Sequence, residues 1–409
     1  MHKKAYFSLL ILTIVVTLIT FNQAGNVSAS SGFQVNNGIL MDSNGNSFVI
    51  RGINNPHIWY DTKAYNALDE IAKTGANTVR IVWDTTGKAS RLEEIIKRCI
   101  ELNMIAMPEL HDATGTDDPE KIKRMASYWA RDDVRAVLKK YHEYVIVNIA
   151  NEPGDSRHNT KFDDEAWRDV YKQSIDIMRN AGITNTIVID ARRYGQDYSG
   201  VAKYGRDLIN YDPLHNLVFS IHMYVEWNDK NKIIEKLDLL KSKNLPIVIG
   251  EFGYNYNNGN NNLNCEVNAQ TILDESEKHG FGYIAWSWAG NNQENAWLDM
   301  SYDWINYTEW GDFLINGRNG IKQTSKVSSI FEEVPALKVE TNDNSALYSS
   351  IIPDITDWFS YTDYNIDSCL IINLSGINPL HSSIKFPLCL TYKPYCLKGL
   401  ISLYQTSLK

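Results

Sequence analysis

Eight short, almost wholly apolar runs punctuate the chain between residues 48 and 288, and they restrict its fold more than any other feature. They are FVIRGIN, NTVRIVW, MIAMPEL, YVIVNIA, TIVIDA, LVFSIHM, PIVIGEF and GYIAWSW. A strand that covers a core on one face alternates apolar and polar residues; runs this uniformly apolar belong to parallel strands buried on both faces. The segments between them read as amphipathic helices: Tyr65–Thr74, Leu92–Leu102, Ile122–Tyr141, Glu165–Asn180, Ile233–Lys243 and Ala269–His279. In the second, Leu92, Ile95, Ile96, Cys99 and Ile100 recur at spacings of three and four, the period of one helix face. Eight strand–helix units predict an α/β fold, a (β/α)₈ barrel of the TIM type, which typically takes about 250 residues. An open doubly wound sheet is the alternative, disfavoured because no glycine-rich phosphate turn follows the first strand.

The flanks are of a different kind. Residues 1–29 combine a positive start (MHKK), an apolar stretch (AYFSLLILTIVVTLITF) and a small-residue site (NVSA), and read as a secretory signal peptide cut after Ala29. A retained membrane anchor is the rival reading, since the apolar run is near the lower limit for spanning. Next, GILMDSNGNSFVIRG joins two apolar runs through an Asn-Gly turn and predicts a β-hairpin. Its Asp42, Asn44, Asn46 alternation begins like a calcium loop, but Ile53 stands where that loop needs a glutamate. The barrel domain is expected over residues 30–333. Residues 334–409 open with a linker, VPALKVETNDNS, and continue without a steady helical or strand period. A small β-rich module, a truncated one and a poorly ordered tail all remain open there.

Composition narrows the partners. Removing the signal takes away Lys3 and Lys4 and leaves 38 basic against 49 acidic residues, so the net charge moves from -9 to -11. That balance disfavours nucleic acid and anionic membranes and suits a neutral substrate. The chain carries 11 Trp and 23 Tyr, which suits stacking on sugar rings, although a Trp-rich core is the plainer explanation. Cys99 and Cys265 fall in helix-like segments, while Cys369, Cys389 and Cys396 crowd the tail without any CxxC pair. This spacing disfavours both a disulfide scaffold and a zinc site.

In a barrel of this type the reactive groups gather where the strands end. Those ends carry Arg80 and Trp83; Glu109, His111 and Asp112; Asn151 and Glu152; His222 and Tyr224; Glu251; and Trp286 and Trp288. Glu152 and Glu251 each close a very apolar strand, the fourth and the seventh. Two carboxyl groups facing across a cleft are what glycosidic bond cleavage requires: one protonates the leaving oxygen, and the other attacks the anomeric carbon or activates water. Arg80 beside one carboxylate keeps it ionised. Asn151, next to Glu152, is placed to bind the sugar hydroxyl adjacent to the reacting carbon. Pro153 is expected to end the strand and hold Glu152 extended.

The motifs NIANEP, IGEFG, RGIN and TVRIVW, with ELHDATG, SIHMY and IAWSWAGN, resemble glycoside hydrolase family 5 of clan A, and within it the secreted Bacillus-type endo-β-1,4-mannanases. The resemblance runs from about Gly32 to Phe331. It implies a retaining hydrolase of mannan, glucomannan and galactomannan, with Glu152 as acid/base and Glu251 as nucleophile. Arg80 and Tyr224 would hold Glu251, Asn151 would bind the 2-hydroxyl, and His222 would line the cleft beside Glu152. His111 and Trp286 would contact the sugar at the cleavage point, and His57 and Trp59 would be cleft residues. No metal or cofactor is implied, and the expected partner is a β-mannan polysaccharide bound by a monomer. The chain departs from the family pattern at Asn55 and Pro56, at Arg192 and Arg193, and at Ala289, which bears on subsite affinity rather than on the reaction. Trp129, Trp167 and Trp358 are expected in packing roles, and His142, His158 and His279 on the solvent side without partners. An endo-β-1,4-glucanase is the alternative on the same scaffold, and a non-catalytic carbohydrate-binding barrel is a further one.

Overall fold

The computed structural model describes residues 32–155 and 162–332, together with three strands further on. The signal segment, the linker, His158, Trp358 and Cys369 lie outside the described residues. Eight parallel strands close into a barrel: β3 (Arg51–Asn55), β4 (Thr78–Trp83), β5 (Ile105–Leu110), β6 (Val147–Asn148), β7 (Ile187–Asp190), β8 (Leu217–Met223), β9 (Ile247–Phe252) and β10 (Gly282–Ala285), with β10 pairing back onto β3. Helices pack around it, so both faces of each strand are buried. This is the (β/α)₈ architecture that the eight apolar runs predict.

Side-chain alternation divides each strand between two environments. Val145, Val147 and Ile149 face the helices, as do Leu217, Phe219, Ile221 and Met223. The alternate residues point inward, and their lower layer is apolar: Ile105, Met107, Ile146, Val188, Val218, Val248 and Ile284. Phe33, Leu40, Phe48 and Ile50 join that cluster from the N-terminal segment. One step further along the strands the inward positions turn polar: Asn54, Arg80, Glu109, Asn148, Asp190 and His222, each buried. The barrel interior is therefore apolar at one end and a polar floor at the other.

Several sequence expectations need correction. The hairpin ladder is β1 (Gln34–Asn36) with β2 (Ile39–Met41), turning at Asn37-Gly38 rather than at the later Asn-Gly. The later turn is closed by a single bridge between Met41 and Ser47, and Asp42 organises it. The Asp42 carboxylate accepts the N–H groups of Asn44 and Asn46 through one oxygen, and Ser328 and Ser329 through the other. The expected helix Ile122–Tyr141 is two, Pro119–Ala130 and Asp132–Lys140, because Arg131 takes an extended backbone (φ -56°, ψ 142°). Cys265 lies in the loop before the helix Ala269–His279, not in a helix; it and Cys99 are buried free thiols. His142 and His279 are not unpartnered: His142 Nε2 lies 2.8 Å from Thr184 Oγ1, and His279 faces Asp238 and Glu275. Trp129 and Trp167 do take packing roles, and their indoles also donate to the carbonyls of Ile149 and Asp190.

The chain divides into two units, Met1–Glu332 and Glu333–Lys409. In the second, β11 (Leu370–Asn373), β12 (Lys385–Lys393) and β13 (Cys396–Ile401) form an antiparallel sheet in that order. Among the described residues, no helix is long and apolar enough to cross a membrane.

Ile146→Ala opens a void in the close-packed lower layer, and is expected to cost about 2–5 kcal/mol. The urea unfolding midpoint of the variant measures this directly.

Candidate active site

A cleft of about 910 Å³ opens above the polar floor, and Glu152 and Glu251 both reach it. Each arrives by a local break in regular structure. On β9 the outward residues are Ile247, Ile249 and then Phe252, a step of three where a regular strand would step by two. The pairing with β8 shifts at this point, with Ile221 opposite Ile249 but His222 opposite Glu251. The extra residue is Gly250, and the bulge turns Glu251 toward the cleft instead of the helices. Only glycine fits there, because a Cβ on residue 250 would stand 2.1 Å from Ser220 Oγ and 3.0 Å from His222 Nε2.

Glu152 is held differently, and not as the sequence implied. It is not extended before Pro153: its φ is 47°, in the left-handed region that side chains rarely adopt. Its N–H donates to Asp190 Oδ2 at 3.1 Å, and its carbonyl accepts from Gly115 at 2.8 Å. The following Gly154, also at positive φ, donates to Thr116 at 2.7 Å. Tertiary hydrogen bonds thus override the extended preference that a following proline imposes.

Arg80 lies at the centre of the floor, without solvent exposure, and its guanidinium is shared among strands. Nη1 donates to Glu251 Oε1 at 2.8 Å and to Asn54 Oδ1 at 2.9 Å. Nη2 donates to Asn151 Oδ1 at 2.7 Å and approaches Asp190 Oδ2 at 3.4 Å; Nε donates to Asn148 Oδ1 at 3.0 Å. Glu109 completes the set at 3.8 Å. Burial disfavours the charged guanidinium, but Glu109, Glu251 and Asp190 outweigh it and push its pKa above the ordinary value. The Tyr224 hydroxyl donates to the other Glu251 oxygen at 3.0 Å.

His222 bridges the two glutamates. Its Nδ1 lies 2.7 Å from Glu152 Oε1 and 3.7 Å from Glu251 Oε2, and its Nε2 lies 3.3 Å from Asp190 Oδ2. Burial alone would lower its pKa, but Glu251, Asp190 and Glu152 together push it from 6.5 up to about 9. For Glu251 burial dominates and lifts the carboxyl above its ordinary value; Glu152 adds to this, and His222 and Arg80 pull against it. One oxygen of Glu152 and one of Glu251 lie within 4.8 Å of each other.

The cleft wall is aromatic. His111 stacks on Trp286 (5.5 Å between ring centres, 22°) and meets Trp59 edge-on at 5.1 Å. Its Nδ1 is anchored 2.8 Å from Glu109 Oε1, and Trp286 Nε1 donates to Asn291 at 2.9 Å. Burial lowers the His111 pKa, but the Glu109 charge and hydrogen bond prevail and raise it. Tyr224 also lines the cleft, as do Pro56, Arg193 and Ala289. Arg193 pairs with Glu226 at 2.6 Å, whereas Arg192 is held by Asp164 and Asp197 and does not line the cleft.

His57, Trp83 and Asp112 do not reach the cleft. His57 is fully buried and not among the cleft-lining residues; its Nε2 lies 3.0 Å from the Asn55 amide nitrogen, and burial depresses its pKa to about 3. Trp83 faces the helices and donates to the Tyr128 hydroxyl. Trp288 takes the core-support role rather than that of a cleft wall: β10 ends at Ala285, so it does not follow the direction of Trp286, and it is buried in the outer core with its indole donating to the Trp304 carbonyl. Asp112 ties the turn after β5 to the loop after β4, accepting from the backbone and hydroxyl of Thr85. Asn54, Asn148 and Asp190 escaped the sequence reading although all three touch Arg80. The signal was present for Asn148, the one polar residue inside the apolar run YVIVNIA.

Comparison with known proteins places this geometry among relatives. The family model described as cellulase (glycosyl hydrolase family 5) matches residues 41–292. The chain is 39% identical over 311 residues to the mannan endo-1,4-beta-mannosidase of Salipaludibacillus agaradhaerens, covering 74% of this chain and 97% of that one. It is 35% identical over 316 residues to the mannan endo-1,4-beta-mannosidase of Cellvibrio japonicus, covering 75% and 70% respectively. Among solved structures, the mannohexaose complex of the Thermomonospora fusca β-mannanase matches with a TM-score of 0.67 at 34% identity, over 74% of this chain and all of that one.

Two outcomes follow from the electrostatics. Arg80→Met leaves Glu251, Asp190 and Glu109 buried without their cation, and is expected to cost about 3–5 kcal/mol in chemical denaturation. His222 has a folded pKa raised above its ordinary 6.5, so its charge stabilises the fold fully below that pH, and the contribution is lost as pH rises through about 9. The stability gap between the parent and His222→Gln should therefore be widest below about pH 6.5 and narrow steadily toward alkaline pH, as read from denaturation midpoints across that range.

Proposed function

This chain belongs to glycosyl hydrolase family 5, and from that premise we propose that it is a retaining endo-β-1,4-mannanase that cleaves internal bonds of mannan, glucomannan and galactomannan. The observation that carries this reading is the approach of Glu152 and Glu251 within 4.8 Å, oxygen to oxygen. Double displacement takes carboxyl groups about 5–5.5 Å apart, and inversion takes about 6.5–9.5 Å to admit a water. The names of the relatives support mannan as the substrate.

In the first step Glu251 attacks the anomeric carbon while the Glu152 carboxyl gives its proton to the departing glycosidic oxygen, so that one C–O bond forms as the other breaks. In the second, the Glu152 carboxylate takes a proton from water, whose oxygen displaces Glu251 and restores both groups with net retention. Arg80 and Tyr224 each hold one Glu251 oxygen, which aims the carboxylate and favours its ionised form against burial. His222 fixes the Glu152 carboxyl at 2.7 Å. Asn151 has its oxygen tied to Arg80, so its amide N–H faces Thr114 and His111 and is oriented to donate to the 2-hydroxyl. Trp286 and His111 form the platform under the sugar at the cleavage point, and Trp59, 53% exposed, extends it. The chemistry passes between two carboxyl groups and water and uses no cofactor.

We further assign residues 1–29 as a signal peptide for secretion, residues 30–333 as the catalytic domain, and residues 334–409 as a linker and tail. The mature enzyme acts as a monomer on a β-mannan polysaccharide.

Glu251→Ala should lower hydrolysis of locust-bean galactomannan by at least on the order of 10³-fold in a variant that still shows a cooperative unfolding transition. Reducing-sugar release should favour galactomannan over carboxymethylcellulose; a preference for the cellulose derivative would instead support an endo-β-1,4-glucanase on the same scaffold.

A further inference from the structure

Glu109 is a buried carboxylate that the double displacement does not use. It is the penultimate residue of β5, it has no solvent exposure, and among the described residues its Oε2 has no hydrogen-bond partner. A carboxylate so placed is unfavourable to folding unless another group requires it. Arg80 does not require it as an acceptor. The five guanidinium N–H groups are directed elsewhere: Nε at Asn148, Nη1 at Asn54 and Glu251, and Nη2 at Asn151 and Asp190. Glu109 stands off at 3.8 Å from Nη1 and lends charge without a hydrogen bond. The hydrogen bond that its side chain does make is to His111, whose Nδ1 lies 2.8 Å from Glu109 Oε1.

His111 is clamped so that its other nitrogen is left for the cleft. The ring is packed between Trp286 and Trp59. With Nδ1 turned to Glu109, Nε2 lies 3.5 Å from Asn151 Nδ2. Asn151 has its oxygen on Arg80, so that nitrogen is a fixed donor. A sugar oxygen seated between the two nitrogens accepts from both when Nε2 carries hydrogen. Because Glu109 takes the Nδ1 proton, Nε2 carries hydrogen only in the charged ring. Burial and Arg80, on β4, favour the neutral ring, but Glu109 on β5 and Glu251 on β9 outweigh them and lift its pKa above the ordinary 6.5.

Taking the cleft as a retaining β-mannanase site, we propose that Glu109 is a positioning residue for hydrolysis that acts through His111. It fixes the ring against Trp286 and keeps Nε2 an N–H donor, which joins Asn151 on the 2-oxygen of the sugar at the cleavage point. The Glu109–His111 pair carries no net charge. The donor therefore reaches a sugar that turns cationic in the transition state without setting a bare cation beside it. Hydrogen bonds at that oxygen strengthen in the transition state, so their loss falls on kcat rather than on KM. Glu109→Gln keeps the shape and an acceptor for Nδ1 but removes the charge. The ring then either gives up the Nε2 proton or stands as an uncompensated cation.

The test is a double-mutant cycle on mannohexaose hydrolysis, with Glu109→Gln made in the parent and in a His111→Ala chain. Each variant is first checked for a cooperative unfolding transition. In the parent, Glu109→Gln should lower kcat about 10–100-fold with KM changed less than about threefold. In the His111→Ala chain the same substitution should change kcat less than about twofold. An equal loss in both backgrounds would mean that Glu109 acts on Arg80 or on the fold, and would overturn the proposal, as would no loss in the parent. Nitrogen NMR of the imidazole-labelled chain, with the His111 signal assigned from the His111→Ala variant, supplies a readout independent of rate. His111 should titrate above 6.5 in the parent and at lower pH in Glu109→Gln. Titration below that value in the parent, or unmoved by the substitution, would overturn it too. A parent that hydrolyses cello-oligosaccharides in place of manno-oligosaccharides would remove the mannanase reading alone, and the same cycle run on the cello-oligosaccharide would still decide the role of Glu109.

Discussion

The buried guanidinium of Arg80 is the constraint on which the rest of this barrel depends. A cation with no solvent exposure is tolerable only if every donor finds an acceptor and nearby anions offset its lost hydration. The chain meets that demand by giving β3, β5, β6, β7 and β9 one polar inward residue each at the same height: Asn54, Glu109, Asn148, Asp190 and Glu251. The lower layer of the barrel needs none of this and is apolar throughout. The floor of the cleft is therefore a set of strand ends chosen to satisfy one charge, and Glu251 is the member of that set left facing the ligand.

The second glutamate depends on the same floor at one remove. Asp190, which approaches Arg80, also accepts the N–H of Glu152 and so helps hold a left-handed backbone that the residue would not adopt alone. His222 then ties the Glu152 carboxyl to the group. Because these side chains are buried and mutually hydrogen-bonded, little reorganisation is left for the moment of reaction, which is how a preorganised site lowers a barrier. The walls obey a looser rule. His111, Trp286 and Trp59 need only present flat faces, and exchanges at Pro56, Arg193 and Ala289 alter those walls without touching the floor.

Much of this was legible in the sequence. The eight apolar runs imply parallel strands buried on both faces, and the carboxylates closing the fourth and seventh runs locate the cleft. What was not legible depends on geometry that spacing does not carry. The bulge at Gly250 shifts the parity of β9, so simple alternation would send Glu251 toward the helices. The positive φ of Glu152 arises from contacts with Asp190 and Gly115, distant in sequence, against the local preference set by Pro153. His57 looked like a cleft residue because it follows a strand end, but its ring turns inward to Asn55. Asn148 is the instructive case: a single amide inside YVIVNIA marks an inward position at the height of Arg80, and it becomes intelligible once the ring of strands is closed.

The central claim is that the Arg80-held carboxylate is the one that forms a bond to the sugar. Incubation with a 2-deoxy-2-fluoro β-mannosyl fluoride, which slows breakdown of a glycosyl-enzyme, followed by proteolysis and mass spectrometry of the labelled peptide, measures this directly. One sugar per chain is expected, esterified to Glu251 in the peptide containing IGEFG. A label on Glu152, or turnover of a normal substrate with inversion at the anomeric carbon and no trapped species, would contradict it.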